Sequence, residues 1–168
     1  TMFYNDFCGL RLSALGMGTM RLPTKEGYND IDEEKTYEMV KYAIENGVNY
    51  FDTAWGYHGG NSEIVMGNVL SRFPRESYYL ATKFPGYDVN YILADKVEEI
   101  FQEQLDRCGV EYFDFYLMHA MNLERHEKFL RIGAYDIAQQ LKQEGKVRHL
   151  GFSFHDSPQV LERMLKDC

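Results

Sequence analysis

Four side chains stand where apolar runs of this chain stop, and each is of a type that moves or steadies a proton. Asp52 follows Val48–Phe51, and Tyr57 lies five residues on in an aromatic, glycine-bearing loop. Lys83 follows Tyr79–Thr82, and His119 follows Phe113–Met118. A lysine at the end of an otherwise apolar strand is costly to bury unless paired, and Asp52 is its natural partner. An ammonium held within several ångströms of a phenol favours the tyrosinate, which makes Tyr57 a proton donor and acceptor for work near neutral pH. His119 can orient a substrate oxygen and share its developing charge. Singly, each has an ordinary structural use: Asp52 caps a turn, Lys83 snorkels, His119 is a satisfied rim histidine. Together, at the ends of three successive strands, they point to a site.

Such a site needs elements that bring together positions 31 and 36 residues apart (52 to 83, then 83 to 119). Residues 3–12 alternate around Asn5-Asp6 and predict a small hairpin. Residues 14–18 form a short apolar run whose glycines let a ligand approach the backbone. A helix is expected from a capping-box spacing at Asp30 to Glu33, with Tyr37, Val40, Ala43 and Ile44 inward and a stop at Gly47. The second strand, 48–51, leads to Asp52. Asn61 or Ser62 can cap the next helix, which Pro74 ends. A third strand spans 79–83. A third helix carries Leu93, Val97, Ile100, Phe101, Leu105 and Cys108 at helical spacing before Gly109. A fourth strand at 113–119 precedes a helix through Ile137 and Leu141 to Gly145. A fifth strand spans 147–153, and Ser157-Pro158 opens a last helix.

Five strands alternating with five helices call for parallel pairing through right-handed crossovers. The first βα turn carries no G-x-G-x-x-G, so the dinucleotide fingerprint of a doubly wound sheet is missing and a barrel is preferred. A complete barrel needs about 250 residues. The expectation is therefore an α/β chain forming a partial (β/α)₈ TIM barrel, about five βα units after a small N-terminal β-hairpin. It is one domain over residues 1–168, the N-terminal part of such a barrel. Barrel enzymes keep their chemistry at the C-terminal strand ends, where Asp52, Lys83 and His119 fall.

The totals narrow the partners. Apolar residues at 45% and charged residues at 26% suit an ordinary globular domain. A net charge of −8 argues against nucleic acid or an anionic membrane surface. Cys8, Cys108 and Cys168 are odd in number and far apart, which suggests reduced thiols in a cytoplasmic setting. No run approaches 18 apolar residues, and the start lacks the apolar core of a secretion signal.

Beyond these readings, the chain resembles the N-terminal part of an aldo-keto reductase. The resemblance rests on Ser13-Ala-Leu-Gly-Met-Gly-Thr-Met-Arg-Leu-Pro23, Asn49-Tyr-Phe-Asp-Thr-Ala-Trp-Gly-Tyr57, Ala81-Thr-Lys-Phe84, Tyr116-Leu-Met-His119 and Gly145-Lys-Val-Arg-His-Leu-Gly-Phe-Ser-Phe154, in order and spacing. It implies hydride transfer from NADPH, or NADH, to a small aldehyde or ketone. Asp52, Tyr57, Lys83 and His119 then fall on the catalytic tetrad, with Tyr57 the acid, Lys83 its partner, Asp52 the anchor of Lys83 and His119 the carbonyl orienter. The resemblance sets the backbone of Gly18, Thr19 and Met20 along the nicotinamide ribose and Ser153 on its carboxamide; Asp52 also belongs to the cofactor site. Trp55, His58 and Tyr87 are candidates for the substrate pocket.

The chain is most similar to the bacterial branch that often carries an iron–sulfur tail, but no cysteine cluster for one is present, so no cluster is expected. Phe154 stands where many relatives have an asparagine. Strands six to eight, which carry the family's adenosine and 2′-phosphate contacts, have no counterpart. The chain by itself is therefore expected to be a weak or inactive reductase that self-associates through exposed sheet edges. Two other readings compete. One is a non-catalytic module or inert half-barrel on a reductase scaffold. The other is a metal-dependent barrel hydrolase using Asp52, a carbamylated Lys83, His119 and His155, against which no H-x-H lies on the first strand and no H-E-x-x-H appears anywhere.

Overall fold

Left-handed backbone at two consecutive residues, Cys8 (φ 50°) and Gly9 (φ 79°), turns the chain back on itself near its start. This is the two-residue loop whose twist matches paired antiparallel strands. It joins β1 (Tyr4–Phe7) to β2 (Leu10–Ser13), with Tyr4 opposite Ser13 and Phe7 opposite Leu10. The reversal is thus at Cys8-Gly9 and not at Asn5-Asp6, which lie within β1; glycine at the second loop position decides it. The computed structural model describes residues 1–88 and 93–168.

Five parallel strands follow: β3 (Met17–Gly18), β4 (Tyr50–Asp52), β5 (Tyr79–Phe84), β6 (Phe113–Met121) and β7 (Val147–Phe154), side by side in chain order. Consecutive order without reversal is the winding of a barrel, since a doubly wound sheet changes direction at a switch point. The fold is α/β, a partial TIM barrel. The α-helices between the strands are α1 (Glu33–Glu45), α2 (Asn61–Leu70), α3 (Ala94–Cys108), α4 (Leu123–Ile132) and α5 (Ala134–Gln143), and α6 (Pro158–Asp167) follows β7. Their inward residues meet the outer faces of the strands in one core that includes Phe51, Met66, Leu80, Phe101, Phe113 and Tyr116. On the inner side, Phe7 of the hairpin meets Phe115 and His149, with ring centroids 5.8 and 6.0 Å apart.

The helix boundaries depart from expectation in three places. The cap of α1 is Asp32, whose carboxylate accepts from the Lys35 backbone N–H; Asp30 lies outside the helix. Neither Asn61 nor Ser62 caps α2. Both are inside it, Gly60 (φ 97°) is the capping residue, and their side chains bond elsewhere. Two helices, not one, separate β6 from β7. Asn122 caps α4 by accepting from the Arg125 N–H, and Gly133 (φ 72°) ends it before α5 begins. α4 is as amphipathic as α5, and its middle buries two side chains, His126 and Phe129.

Candidate active site

Register decides which side chains share the rim. Asp52 pairs with Ala81, so Lys83 stands two residues further along β5, one pleat above and on the same face. Lys83 is 5% exposed. Its ammonium donates to Asp52 Oδ1 at 2.6 Å and to the Thr53 carbonyl at 2.7 Å. The Tyr57 hydroxyl lies 3.5 Å away. An ammonium has three hydrogens, and these three oxygens account for them. Burying the charge is tolerable because a carboxylate and a carbonyl dipole replace water. The same ammonium sits 4.9 Å from the Tyr57 ring centroid.

His119 lies between two phenol rings, Tyr57 at 5.9 Å and Tyr87 at 5.2 Å between centroids, both edge-on. Burial, then the charges of Lys83, His155 and Arg125, lower its pKa to about 4. The imidazole is therefore neutral near pH 7, and its Nδ1 is buried with no hydrogen-bond partner among the described residues. A neutral imidazole can donate an N–H to an oxygen but has no proton to give up at that pH. Tyr87 is 38% exposed, and a Cβ on Gly56 would meet its hydroxyl at 2.5 Å. Only glycine at 56 lets Tyr87 approach the loop so closely.

The strand β6 kinks directly after His119. Ala120 has φ 55°, and the β6–β7 register shifts between Met118 and Met121. Such a bulge re-aims the neighbouring side chain. The Ala120 N–H donates to Ser153 Oγ at 2.7 Å, and Arg125 donates to the Ala120 carbonyl. Nothing in the local sequence marks this bulge, because alanine does not favour positive φ.

The candidate cofactor positions divide by exposure. Gly18 is exposed with open space where a Cβ would be, and Met20 is 45% exposed. Thr19 is buried. Its N–H and hydroxyl both donate to the Asp52 carbonyl, and the hydroxyl continues through Ser62 to Thr53 in two 2.8 Å steps. That chain ties the ends of β3 and β4 to the start of α2. Ser153 is half-buried, and its hydroxyl hydrogen is left for a second partner. Open backbone at Gly18 and a hydroxyl hydrogen at Ser153, each at the C-terminal end of its strand, are features that suit the flat amide-bearing ring of a nicotinamide.

One of the three pocket candidates, His58, is turned away from any pocket. His58 is fully buried; its Nε2 accepts from the Leu22 N–H at 3.1 Å, its Nδ1 donates to the Tyr28 carbonyl, and Tyr28 stacks on it at 4.3 Å. It pins the chain at residues 22–28 and offers nothing to a ligand, because its positive φ of 53° turns the ring inward. Trp55 is half-buried with the Arg107 guanidinium 3.7 Å from its ring. Among the described residues no group of three or more His, Cys, Asp or Glu is placed to hold a metal ion, so His155 is not drawn into a ligand set with Asp52 and His119. No helix among them is long and apolar enough to cross a membrane.

Residues 14–168 match the family described as the Aldo/keto reductase family. A probable aldo-keto reductase of Glycine max is 32% identical over 165 residues, covering 92% of this chain and 45% of that protein. The NADH-specific methylglyoxal reductase of Escherichia coli is 29% identical over 171 residues, covering 91% of this chain and 52% of its own length. The holo structure of an aldo-keto reductase from Bacillus halodurans superposes with a TM-score of 0.75 at 28% identity, covering 99% of this chain and 54% of that one. The chain spans about half the length of the curated relatives it matches.

Proposed function

The chain belongs to the aldo/keto reductase family, and from that premise we propose that it carries the catalytic residues for reducing an aldehyde or ketone to an alcohol at the expense of NADPH or NADH. The observation that carries the proposal is the Lys83 ammonium held between Asp52 and Thr53, with the Tyr57 hydroxyl 3.5 Å away. Tyr57 donates its proton to the carbonyl oxygen. The fixed positive charge of Lys83 stabilises the tyrosinate left behind, and Asp52 keeps that charge in place. His119, neutral at working pH, donates an N–H to the same oxygen and holds it toward Tyr57. The Tyr87 ring beside His119 is a wall of the pocket. A bound reduced nicotinamide supplies the hydride. Gly18, Thr19 and Met20 would line it with backbone, with Asp52 beside them, and Ser153 would hydrogen-bond its amide.

These five units belong, on this reading, to the N-terminal part of a single barrel domain of a cytoplasmic protein. The relative in Escherichia coli is named for NADH and methylglyoxal, which supports a small aldehyde as the first substrate to try. The test follows nicotinamide absorbance with methylglyoxal, titrating NADPH and NADH separately against Trp55 fluorescence. In the full-length protein, Tyr57→Phe is expected to bind nucleotide as wild type does and to lose nearly all turnover. Retention of more than about a tenth of the rate, a loss under ~1.4 kcal/mol, means Tyr57 is not the acid.

A further inference from the structure

We propose that Arg107, on the outer helix α3, is the positioning residue that holds Tyr57 against Lys83. This rests on the reading of Tyr57 as the proton donor. The loop carrying Tyr57 has little of its own to hold it. Three residues in a row, His58, Gly59 and Gly60, have left-handed backbone, with φ of 53°, 64° and 97°. Beyond the Asn61 N–H, which reaches the Tyr57 and His58 carbonyls, two of its backbone hydrogen bonds are long: Tyr57 N–H to the Ala54 carbonyl at 3.3 Å and Gly59 N–H to the Gly56 carbonyl at 3.2 Å. No side chain caps the turn or the helix after it. The hold on Tyr57 must come from outside the loop.

His58 supplies one side of that hold, through Leu22 and Tyr28. Arg107 supplies the other and touches both ends of the loop. Its guanidinium lies over the Trp55 ring, 3.7 Å from the centroid, and donates to the Trp55 carbonyl at 3.4 Å. It also fills the space beside Gly60, where a Cβ would meet Nη1 at 3.1 Å. Two carboxylates fix the guanidinium. Glu103, one turn back on α3, accepts from Nη2 at 2.7 Å and from Nε at 3.1 Å. Glu63 of α2, fully buried, stands 3.5 Å from Nη1.

Glu63 also connects this clamp to the strand bearing Lys83. Its Oε2 accepts from the Thr82 hydroxyl at 3.1 Å. Gln104, one turn from Arg107, donates to the Lys83 carbonyl at 2.9 Å, and its own carbonyl accepts from the Tyr116 hydroxyl at 2.7 Å. Tyr57 and Lys83 sit on different elements, and Arg107, Glu63 and Gln104 form the buried polar path that joins those elements behind the site. Burial lifts the Glu63 pKa to about 7 against the opposing pull of Arg107, as befits a carboxyl enclosed in that path. A planar fork that stacks and donates at once is an arginine property that lysine cannot supply.

The test compares Arg107→Ala and Arg107→Lys in the full-length protein by amide hydrogen exchange over residues 55–60, Trp55 emission, nucleotide affinity and kcat with methylglyoxal. Both variants are expected to speed exchange in 55–60 at least about tenfold relative to the strands and to shift Trp55 emission. Both should lower kcat at least about tenfold with nucleotide affinity within about threefold, because misplacing a proton donor by an ångström is enough for that. Arg107→Lys keeps the charge for Glu63 and Glu103, so it carries the test if Arg107→Ala does not fold. Unchanged exchange over 55–60, or faster exchange with undiminished kcat, overturns the proposal. If Tyr57→Phe turns over like wild type, the reading of Tyr57 as acid falls, and the exchange result alone decides whether Arg107 holds the loop.

Discussion

Lys83 and Asp52 form a pair in which only the lysine is deeply buried, with side-chain exposures of 6% and 26%. Removing one partner leaves the other uncompensated, which is where such pairs become strongly destabilising. Lys83→Met is expected to cut turnover at least about a hundredfold, since the charge facing the tyrosinate is gone. Nucleotide affinity should change far less, and a kcat within tenfold of wild type would remove Lys83 from the mechanism. His119 and Glu63 make opposite predictions for stability against pH. Burial depresses the His119 value to about 4, so between about 6.5 and about 4 the unfolded chain binds a proton that the folded chain refuses. Its contribution is full above pH 6.5 and is lost as pH falls through that window. Burial raises the Glu63 value to about 7 from 4.5, so there the folded chain keeps the proton. Its contribution is full below pH 4.5 and is lost as pH rises toward 7. Urea unfolding from pH 4.5 to 7 checks both. Relative to wild type, stability should rise less with pH in His119→Gln and more in Glu63→Gln.

Among the elements, α4 is the piece whose existence depends most on its ends. Asn122 satisfies a free N–H of the first turn, Gly133 stops the helix, and Phe129 with His126 is all that the middle buries. His126 hydrogen-bonds Tyr135 of α5 at 2.6 Å and Asp167 of α6 at 2.9 Å, and the Phe129 ring packs on Phe84 and Tyr135, with centroids 5.6 and 5.8 Å apart. Asn122→Ala should cost about 1 kcal/mol, the ordinary value of such a cap. Arg125, in that first turn, bonds the Ala120 carbonyl beside His119. The same substitution should therefore also lower kcat, and calorimetry with a parallel rate measurement separates the two effects. An unchanged kcat would mean that the β6 bulge keeps its form without α4.

At the scale of the whole molecule, β3 and β7 each have one strand neighbour among the described residues, which leaves the parallel sheet two open edges there. Unpaired edges of apolar strands are templates for association. Residues 1–168 expressed alone are expected to self-associate and to turn over aldehyde poorly, with weak nucleotide affinity on a chain of net charge −8. Light scattering behind size exclusion, followed by an aldehyde assay, is the measurement. A stable monomer working at ordinary enzyme rates would mean that the five units need nothing beyond themselves.

Strand order, the parallel winding and the strand-end positions of Asp52, Lys83 and His119 were legible in the sequence. Alternation, helical spacing and glycine stops are local patterns, and parallel winding carries strand ends to one side. Local patterns misled where a turn had two candidate centres, as at Asn5-Asp6 against Cys8-Gly9. They also left α4 unread, although it is as amphipathic as α5. The remainder was decided by tertiary structure. His58 has the composition of a pocket residue, yet its backbone angle turns it into the core, and no neighbour in sequence dictates that angle. The bulge at Ala120 exists because Ser153 and Arg125, 33 and 5 residues away, hold its peptide from both sides. Arg107 reaches Trp55 across 52 residues, and Glu63 is an ordinary helical glutamate until α3 and β5 enclose it. Hydrogen bonds and ion pairs between distant segments leave no period in a sequence, because their partners are chosen by packing.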